Sequence, residues 1–596
     1  MKTLGDIIAE HDVIEYVTPA DDHMGDASDS DVAEAAIGGD STNELPPRYY
    51  LSPQFIATYL SFGLSFGASF LGFVMPANIL YTAINPDIGP DPNIIWVNLS
   101  FTLCQSIIFP VVGRLSDVFG RRWFYICGNV AALIGLLICG RASNVSMLIA
   151  GSTLSGLGGG VQNLGPFAAI AELVPYKHRF TAIGCNAAML GPVLALAPAI
   201  AGSFVAHTEQ GWRWCYYFNA ILSGVAGLLQ LCFYFPPAFK DLHKRRTLRE
   251  ALRKFDIVGL VLFVISGACL LLGISWGGQR YPWKSGPVIG TIVSGGVGVV
   301  ILLIYEEKFA GDEPLIPMYL FRNRGFVTMT MCSSSGSMVF YALSVLWPGQ
   351  IHALFTQSPT LIGWLSSTLT SGNVIGQLGA AMLANRIRYA KQQVIFCSLV
   401  FTALVGGMAV IDQNREAMAV AFTLLIVVAI AWMEILVLSG GPMMVHESDV
   451  GISSALEMML RNFFSTIAIS ICVTVYTNKL TSNLASYVAD AALASGLPQS
   501  SLPSLFTAVG GSDPSAIKAV PGMTPSILQA VSDGTTTAYV KSISMVYLIS
   551  ITFGGLMIIS AFLTPAFDDK STSRIARRLQ NVDNKAKLNA EAEQTA

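Results

Sequence analysis

From residue 56 to residue 564, long apolar runs alternate with short polar joints. Each run is close to the ~20 residues that a helix needs to cross a bilayer. The pattern predicts fourteen helices, at 56–84, 94–112, 123–141, 146–171, 180–206, 214–237, 256–276, 285–305, 325–348, 359–384, 392–411, 417–439, 453–477 and 540–564. The fold class expected is therefore an all-α membrane protein. Residues 1–52 are polar and carry Asp21, Asp22, Asp26, Asp29, Asp31 and Asp40, so they read as a disordered acidic cytosolic tail. Residues 239–255 are basic with amphipathic spacing and read as a linker along the inner membrane surface. Residues 480–539, rich in Ser, Ala, Gly and Pro, read as a long outer loop with a weak helical stretch near 483–494. Residues 566–596 read as a second cytosolic tail.

Composition narrows the class further. Of 596 residues, 53% are hydrophobic and only 12% charged, where soluble domains carry roughly 25% charge. That excludes a soluble enzyme and leaves the lipid bilayer as the main partner. The net charge of −3 gives no reason to expect nucleic acid. The ten cysteines fall in or beside apolar runs without metal spacing and read as small buried hydrophobes. No metal site or catalytic triad is expected. The absence of a G-x4-G-K-[ST] loop argues against ATP-driven pumping by this chain. No cleaved signal peptide is expected. Lys and Arg crowd alternate joints, among them Lys240, Lys244, Arg245, Arg246, Arg249, Arg253 and Lys254, while the joint 85–92 has none. This bias predicts cytosolic termini. With no organelle address, the plasma membrane is the default location, with a vacuolar or vesicle membrane second; a monomer is expected.

The joint after the second run reads Gly113-Arg114-Leu115-Ser116-Asp117-Val118-Phe119-Gly120-Arg121-Arg122. Gly113 and Gly120 would allow a tight reversal. Asp117 can receive a helix dipole or an Arg fork. Arg121 and Arg122 would sit at headgroup depth. The stretch resembles the G-x-L-x-D-x-x-G-R-[RK] signature of the major facilitator superfamily, with every specified position matched. That resemblance implies two six-helix bundles, at 53–238 and 309–565. The pair 256–308 would be an insertion. A weaker echo, Asn385-Arg386-Ile387-Arg388, follows the tenth run, with Asn385 where Asp117 stands.

The fifth run carries Gly184, Gly191, Pro192, Pro198 and Gly202, small residues for close packing and prolines for kinks. It resembles the antiporter signature G-x8-G-x3-G-P-x2-G-G, departing at Val193, Ala197 and Ala201. Many proton-coupled members have an arginine in the fourth run where this chain has Ser152. Trp212-Arg213-Trp214, Asp256–Gly259, Gly273–Gly277 and Tyr305-Glu306 resemble fourteen-span drug:proton antiporters. With Glu172–Arg179 and Phe233–Pro237 they bring the chain nearest to the fungal trichothecene efflux pump family, over roughly residues 50–480. The resemblance implies export of an amphipathic toxin against protons, with no cofactor beyond the proton gradient.

Charges inside the apolar slab are the sharpest candidates, since each costs at least ~2.5 kcal/mol on insertion scales. Glu434, in the twelfth run, is the candidate proton carrier. Glu457 and Arg461, four apart in the thirteenth, are expected to pair. With Gly113, Asp117, Gly120, Arg121 and Arg122 they form the expected conformational switch. In it, Asp117 binds the thirteenth helix's positive end or Arg461 when the inside is closed. Asn98, Gln105, Gln162, Asn163, Asn373 and Gln377 offer polar anchors at mid-depth, and Trp347, Trp364 and Trp432 flat apolar walls, for a substrate cavity. Three readings remain open: an exporter of a secondary metabolite, toxin or drug, a transporter of siderophore-iron chelates, and a non-transporting receptor.

Overall fold

The computed structural model describes residues 49–566, apart from 90, 92, 120, 171–172, 175–177, 188, 237–255, 278–280, 311–313, 388, 446–449, 511–517 and 519. The acidic tail up to residue 48, the linker 239–255 and the tail from 567 lie outside the described residues. The described chain is helical nearly throughout, because a backbone in hydrocarbon must satisfy its own N–H and C=O groups.

The first bundle comprises α1 (Pro53–Ile79), α2 (Trp96–Phe119), α3 (Arg121–Gly140) and α4 (Val145–Gly165). It continues with the broken helix α5 (Arg179–Ala187), α6 (Gly191–Ala195), α7 (Ala197–His207) and closes with α8 (Arg213–Phe233). The pair α9 (Ile257–Trp276) and α10 (Gly286–Lys308) follows. Then come α11 (Arg324–Leu354), α12 (Pro359–Ile387), α13 (Ala390–Met408), α14 (Glu416–Gly440) and α15 (Val450–Asn483). The short helices α16 (Ala489–Ala494) and α17 (Leu502–Gly510) precede α18 (Pro525–Leu563). Side chains start several of them: Ser52 accepts from the Phe55 N–H at 3.2 Å, Asn144 from Met147 at 2.8 Å and Asp256 from Gly259 at 2.7 Å.

Eleven described helices are long and apolar enough to cross a membrane. The other three expected spans correspond to α4, the α5–α7 segment and α12. Glycine, serine and threonine in α4 and α12, and a broken backbone in α5–α7, dilute their apolarity. These are also packing helices: α4 lies on α1, α2 and α3, and α12 on α14 and the α5–α7 segment.

Neighbour relations repeat between the halves. In the first, α1 touches α4 and α8, α3 touches α4 and α8, and α2 touches α4. In the second, α11 touches α14 and α18, α13 touches α14 and α18, and α12 touches α14. The halves meet along two seams, α2 on α15 and α5–α7 on α12. The pair α9 and α10 packs on itself and leans on α15 and α2.

Two expectations are corrected. Within 480–539, the helical stretch expected near 483–494 is the end of a rod over Ile452–Ala494, but the loop expected over 525–539 is instead the start of a second rod, Pro525–Leu563. Forty-three residues extend about 65 Å against a hydrocarbon core of about 30 Å. The rods therefore project well beyond the bilayer, and a small core of Val488, Leu497, Leu505, Val520, Ile527 and Val531 joins them to α17. The reversal after the second span is also tighter than expected. Gly113 lies inside α2, and a single residue, 120, separates α2 from α3.

Candidate transport site

The seam of α5–α7 with α12 shows why its residues are small. A Cβ on Gly184 would meet the Ala381 Cβ at 2.7 Å, and one on Gly202 the Pro359 carbonyl at 2.7 Å. On the facing helix, Gly363 would meet the Pro198 carbonyl at 2.6 Å. Pro192 and Pro198 do more than kink the span: each starts a new helix, at α6 and α7. The backbone groups freed by the second break are taken up by hydroxyls of α12. Thr370 donates to the Ala195 carbonyl at 2.7 Å, Ser371 to the same carbonyl at 3.3 Å, and the Ala199 N–H donates to Ser367 at 3.2 Å. Neighbouring hydroxyls are what make a broken helix tolerable in hydrocarbon.

The other seam carries a polar ladder. The Asn462 amide of α15 donates to Gln105 of α2 at 3.1 Å, and the Gln105 amide donates to Ser69 of α1 at 3.0 Å. Thr466 donates to Thr102 at 2.9 Å. Beside the ladder lies a buried ion pair. The Arg461 guanidinium donates to the Glu434 carboxylate at 2.8 Å, with side chains 9% and 5% exposed. Ser337 of α11 donates to the same oxygen at 2.9 Å and accepts from Arg461. Gly336 allows this approach: a Cβ there would meet Met433 at 2.8 Å. The guanidinium stands 5.9 Å from the Tyr341 ring, which meets Phe73 of α1 edge-on at 4.8 Å. Phe340 and Phe70 pair at 6.0 Å alongside. An ion pair, an amide ladder and an aromatic bridge therefore converge where α1, α2, α11, α14 and α15 meet. The arrangement offers polarised donors and acceptors among flat apolar walls.

Several expected contacts are corrected here. Arg461 pairs with Glu434, not with Glu457, because Ser337 and Glu434 together satisfy its fork. Both Glu457 oxygens are buried without a hydrogen bond, and Gly441 leaves room for that side chain. The expected contact of Arg461 with Asp117 falls on a side chain outside the described residues, and Gly120 lies outside them altogether. Arg121 is buried within the protein, 2% exposed. Arg122 donates to the Leu231 carbonyl at 2.8 Å, in the last turn of α8, and lies over Phe235 at 4.0 Å. Gln162 belongs to a network inside the first bundle, donating to Asn129 at 2.9 Å and Ser223 at 3.1 Å. Trp364 is 54% exposed and so walls no central cavity. Trp432 faces a groove on the bundle's outside and donates to Gln393 at 2.9 Å. Trp347 is fully buried, and Asn98, Asn163, Asn373 and Gln377 are buried on α2, α4 and α12. Of the expected cavity set, the structure joins Gln105 to the central cluster.

Ser337, Tyr341, Phe73, Asn462 and Thr466 were not anticipated. Asn462 follows Arg461 directly, and Ser337 closes a Ser-Ser-Ser-Gly-Ser run inside a span. Either was a visible polar signal.

Two seam-joined bundles, helical nearly throughout among the described residues and with charges at the seam, define a membrane transporter of the major facilitator class. A family model described as "Fungal trichothecene efflux pump (TRI12)" matches residues 21–595. The chain belongs to that family of efflux transporters. It is 29% identical over 550 residues to "Trichothecene efflux pump TRI12" of Fusarium sporotrichioides, and 30% identical over 562 residues to the protein of the same name in Trichoderma arundinaceum. Each alignment covers 91% of both chains. It is also 29% identical over 360 residues to "MFS-type transporter gkaD" of Penicillium citrinum, covering 59% of this chain and 60% of that one.

Proposed function

We propose that this chain exports an amphipathic, trichothecene-like secondary metabolite by alternating access, exchanging it for protons. The observation that carries the reading is the Glu434–Arg461 pair, buried at the α2/α15 seam beside the Tyr341–Phe73 bridge between the bundles. Proton coupling needs a carboxylate that can trade a fixed cation for a proton. Glu434 has such a cation at 2.8 Å, and Glu457, one turn before Arg461, is a second carboxyl within the same buried cluster. Rocking the bundles would part the ladder at Gln105 and Asn462, open the aromatic bridge and expose the pair to one side at a time. Asp117 acts in this reading as the latch at the basic end of α2. The protein works as a monomer in the plasma membrane with both termini cytosolic. The test is efflux of a panel of hydrophobic compounds, trichothecenes included, from loaded cells with and without a proton uncoupler. Efflux should collapse with the uncoupler and in Glu434→Gln. Uncoupler-insensitive efflux would refute the coupling, and entry of an iron chelate in place of efflux would favour the siderophore reading.

A further inference from the structure

Outside the bundle seams, α12, α13 and α14 enclose a groove of about 750 Å³. That volume lies within the range of pockets that hold drug-sized molecules. Its walls are almost wholly apolar: Phe396, Cys397 and Val428 line it, Trp432 and Gln393 close its back, and Tyr389 stands at its lip. Phe396 and Tyr389 are 65% and 66% exposed, so the groove opens away from the protein. Its back is sealed from the transport site. The Trp432 indole is tied to Gln393, which in turn donates to the Ala384 carbonyl at 3.1 Å, and the ring packs against Gly379. Glu434, two residues further along α14, is turned about 200° round the helix and faces the seam.

Two basic residues flank the lining residues at the groove's Tyr389 end. Arg386 precedes the lining residue Ile387, and Lys391 precedes the lining residue Gln392. Among the described residues neither has a carboxylate partner. Between them the chain turns from α12 into α13 at Tyr389, which holds φ 53°, a left-handed conformation that non-glycine residues rarely adopt. The turn sets an exposed tyrosine at the mouth, where aromatic side chains meet lipid headgroups. We propose that this groove is a binding site for an anionic phospholipid: one acyl chain fills it, and Arg386, Lys391 and Tyr389 hold the phosphate. The occupant is lipid rather than cargo because the cavity faces hydrocarbon, offers few polar groups for a toxin's oxygens, and has no described passage to the seam. Two cations at the mouth select a negative headgroup.

The test uses the full chain in neutral detergent, with phosphatidylglycerol and phosphatidylcholine carrying brominated acyl chains. Bromine should quench Trp432, and Trp432→Phe should remove that part of the quenching. Phosphatidylglycerol should be retained about thirtyfold better than phosphatidylcholine, as two surface cations imply. Arg386→Gln with Lys391→Gln should abolish the preference, and Val428→Trp, which fills the groove, should abolish retention of both lipids. Equal retention of the two lipids by the native chain, or quenching unchanged by Trp432→Phe, would overturn the proposal. Displacement of the brominated lipid by a transported toxin would overturn it in favour of a cargo site, while leaving the efflux reading intact.

Discussion

Arg461 is the residue whose loss should be felt most. Its guanidinium is 9% exposed, holds Glu434 at 2.8 Å and also donates to Ser337. Removing one partner of a buried pair strands the other charge, at roughly 3–5 kcal/mol. Arg461→Gln leaves Glu434 with Ser337 alone and Glu457 with nothing, so it should cost the full amount. Glu434→Gln should cost less, because the guanidinium can swing toward Glu457, one turn back on α15 and without a hydrogen bond. Glu434→Gln with Glu457→Gln should return to the larger figure, since no carboxylate then remains for Arg461. Glu434→Gln with Arg461→Gln leaves two neutral amides, and the residual loss should fall to about 1–2 kcal/mol. The assay is unfolding of the purified transporter in mixed micelles, each variant's free energy being read against the parent. The double-neutral variant is the decisive arm. If its loss equals the sum of the two single losses within about 0.5 kcal/mol, the residues do not act as a pair and the reasoning fails.

The small-residue seam predicts an order among glycines: Gly202→Val, which meets a backbone carbonyl at 2.7 Å, should lower the melting temperature more than Gly191→Val, which meets a Val374 methyl at 3.2 Å. Overpacking of this kind costs typically 1–3 kcal/mol, and the reverse order in a thermal melt would contradict the seam. Ser367→Ala with Thr370→Val should destabilise by about 1–3 kcal/mol per orphaned group, because the Ala199 N–H loses its acceptor and the Ala195 carbonyl keeps only Ser371; an unchanged melting curve would mean the broken helix needs no such support. Asp117→Asn should slow efflux without shifting the melting temperature, and transport at the parent rate would end its assignment as a latch.

What could be read in advance follows from the solvent. A bilayer sets helix length, so most span boundaries emerged to within a few residues. It also erases the contrast between inside and outside, since lipid tails are as apolar as a core. Trp347 and Trp364 lie on successive helices, α11 and α12, yet one is buried and the other 54% exposed; nothing in apolar periodicity separates them. Glycine is the better guide in this setting, because it marks where another backbone comes close. Gly184, Gly191 and Gly202 all look onto α12. The pairing of Arg461 needed a tertiary fact: spacing along α15 offers Glu457, but Ser337 of α11 and Glu434 of α14 reach the guanidinium first. Residues 480–539 divide into two cases. The helical stretch expected near 483–494 is present, carried by Ala485, Ala489, Ala491, Ala492 and Ala494, which are strong helix formers, whereas 525–539, expected as loop, is helix from Pro525 onward. Outside the bilayer, where apolar length no longer decides, intrinsic propensity was the signal that counted, and it places the end of the α15–α16 rod at Ala494, just before the left-handed Gly496.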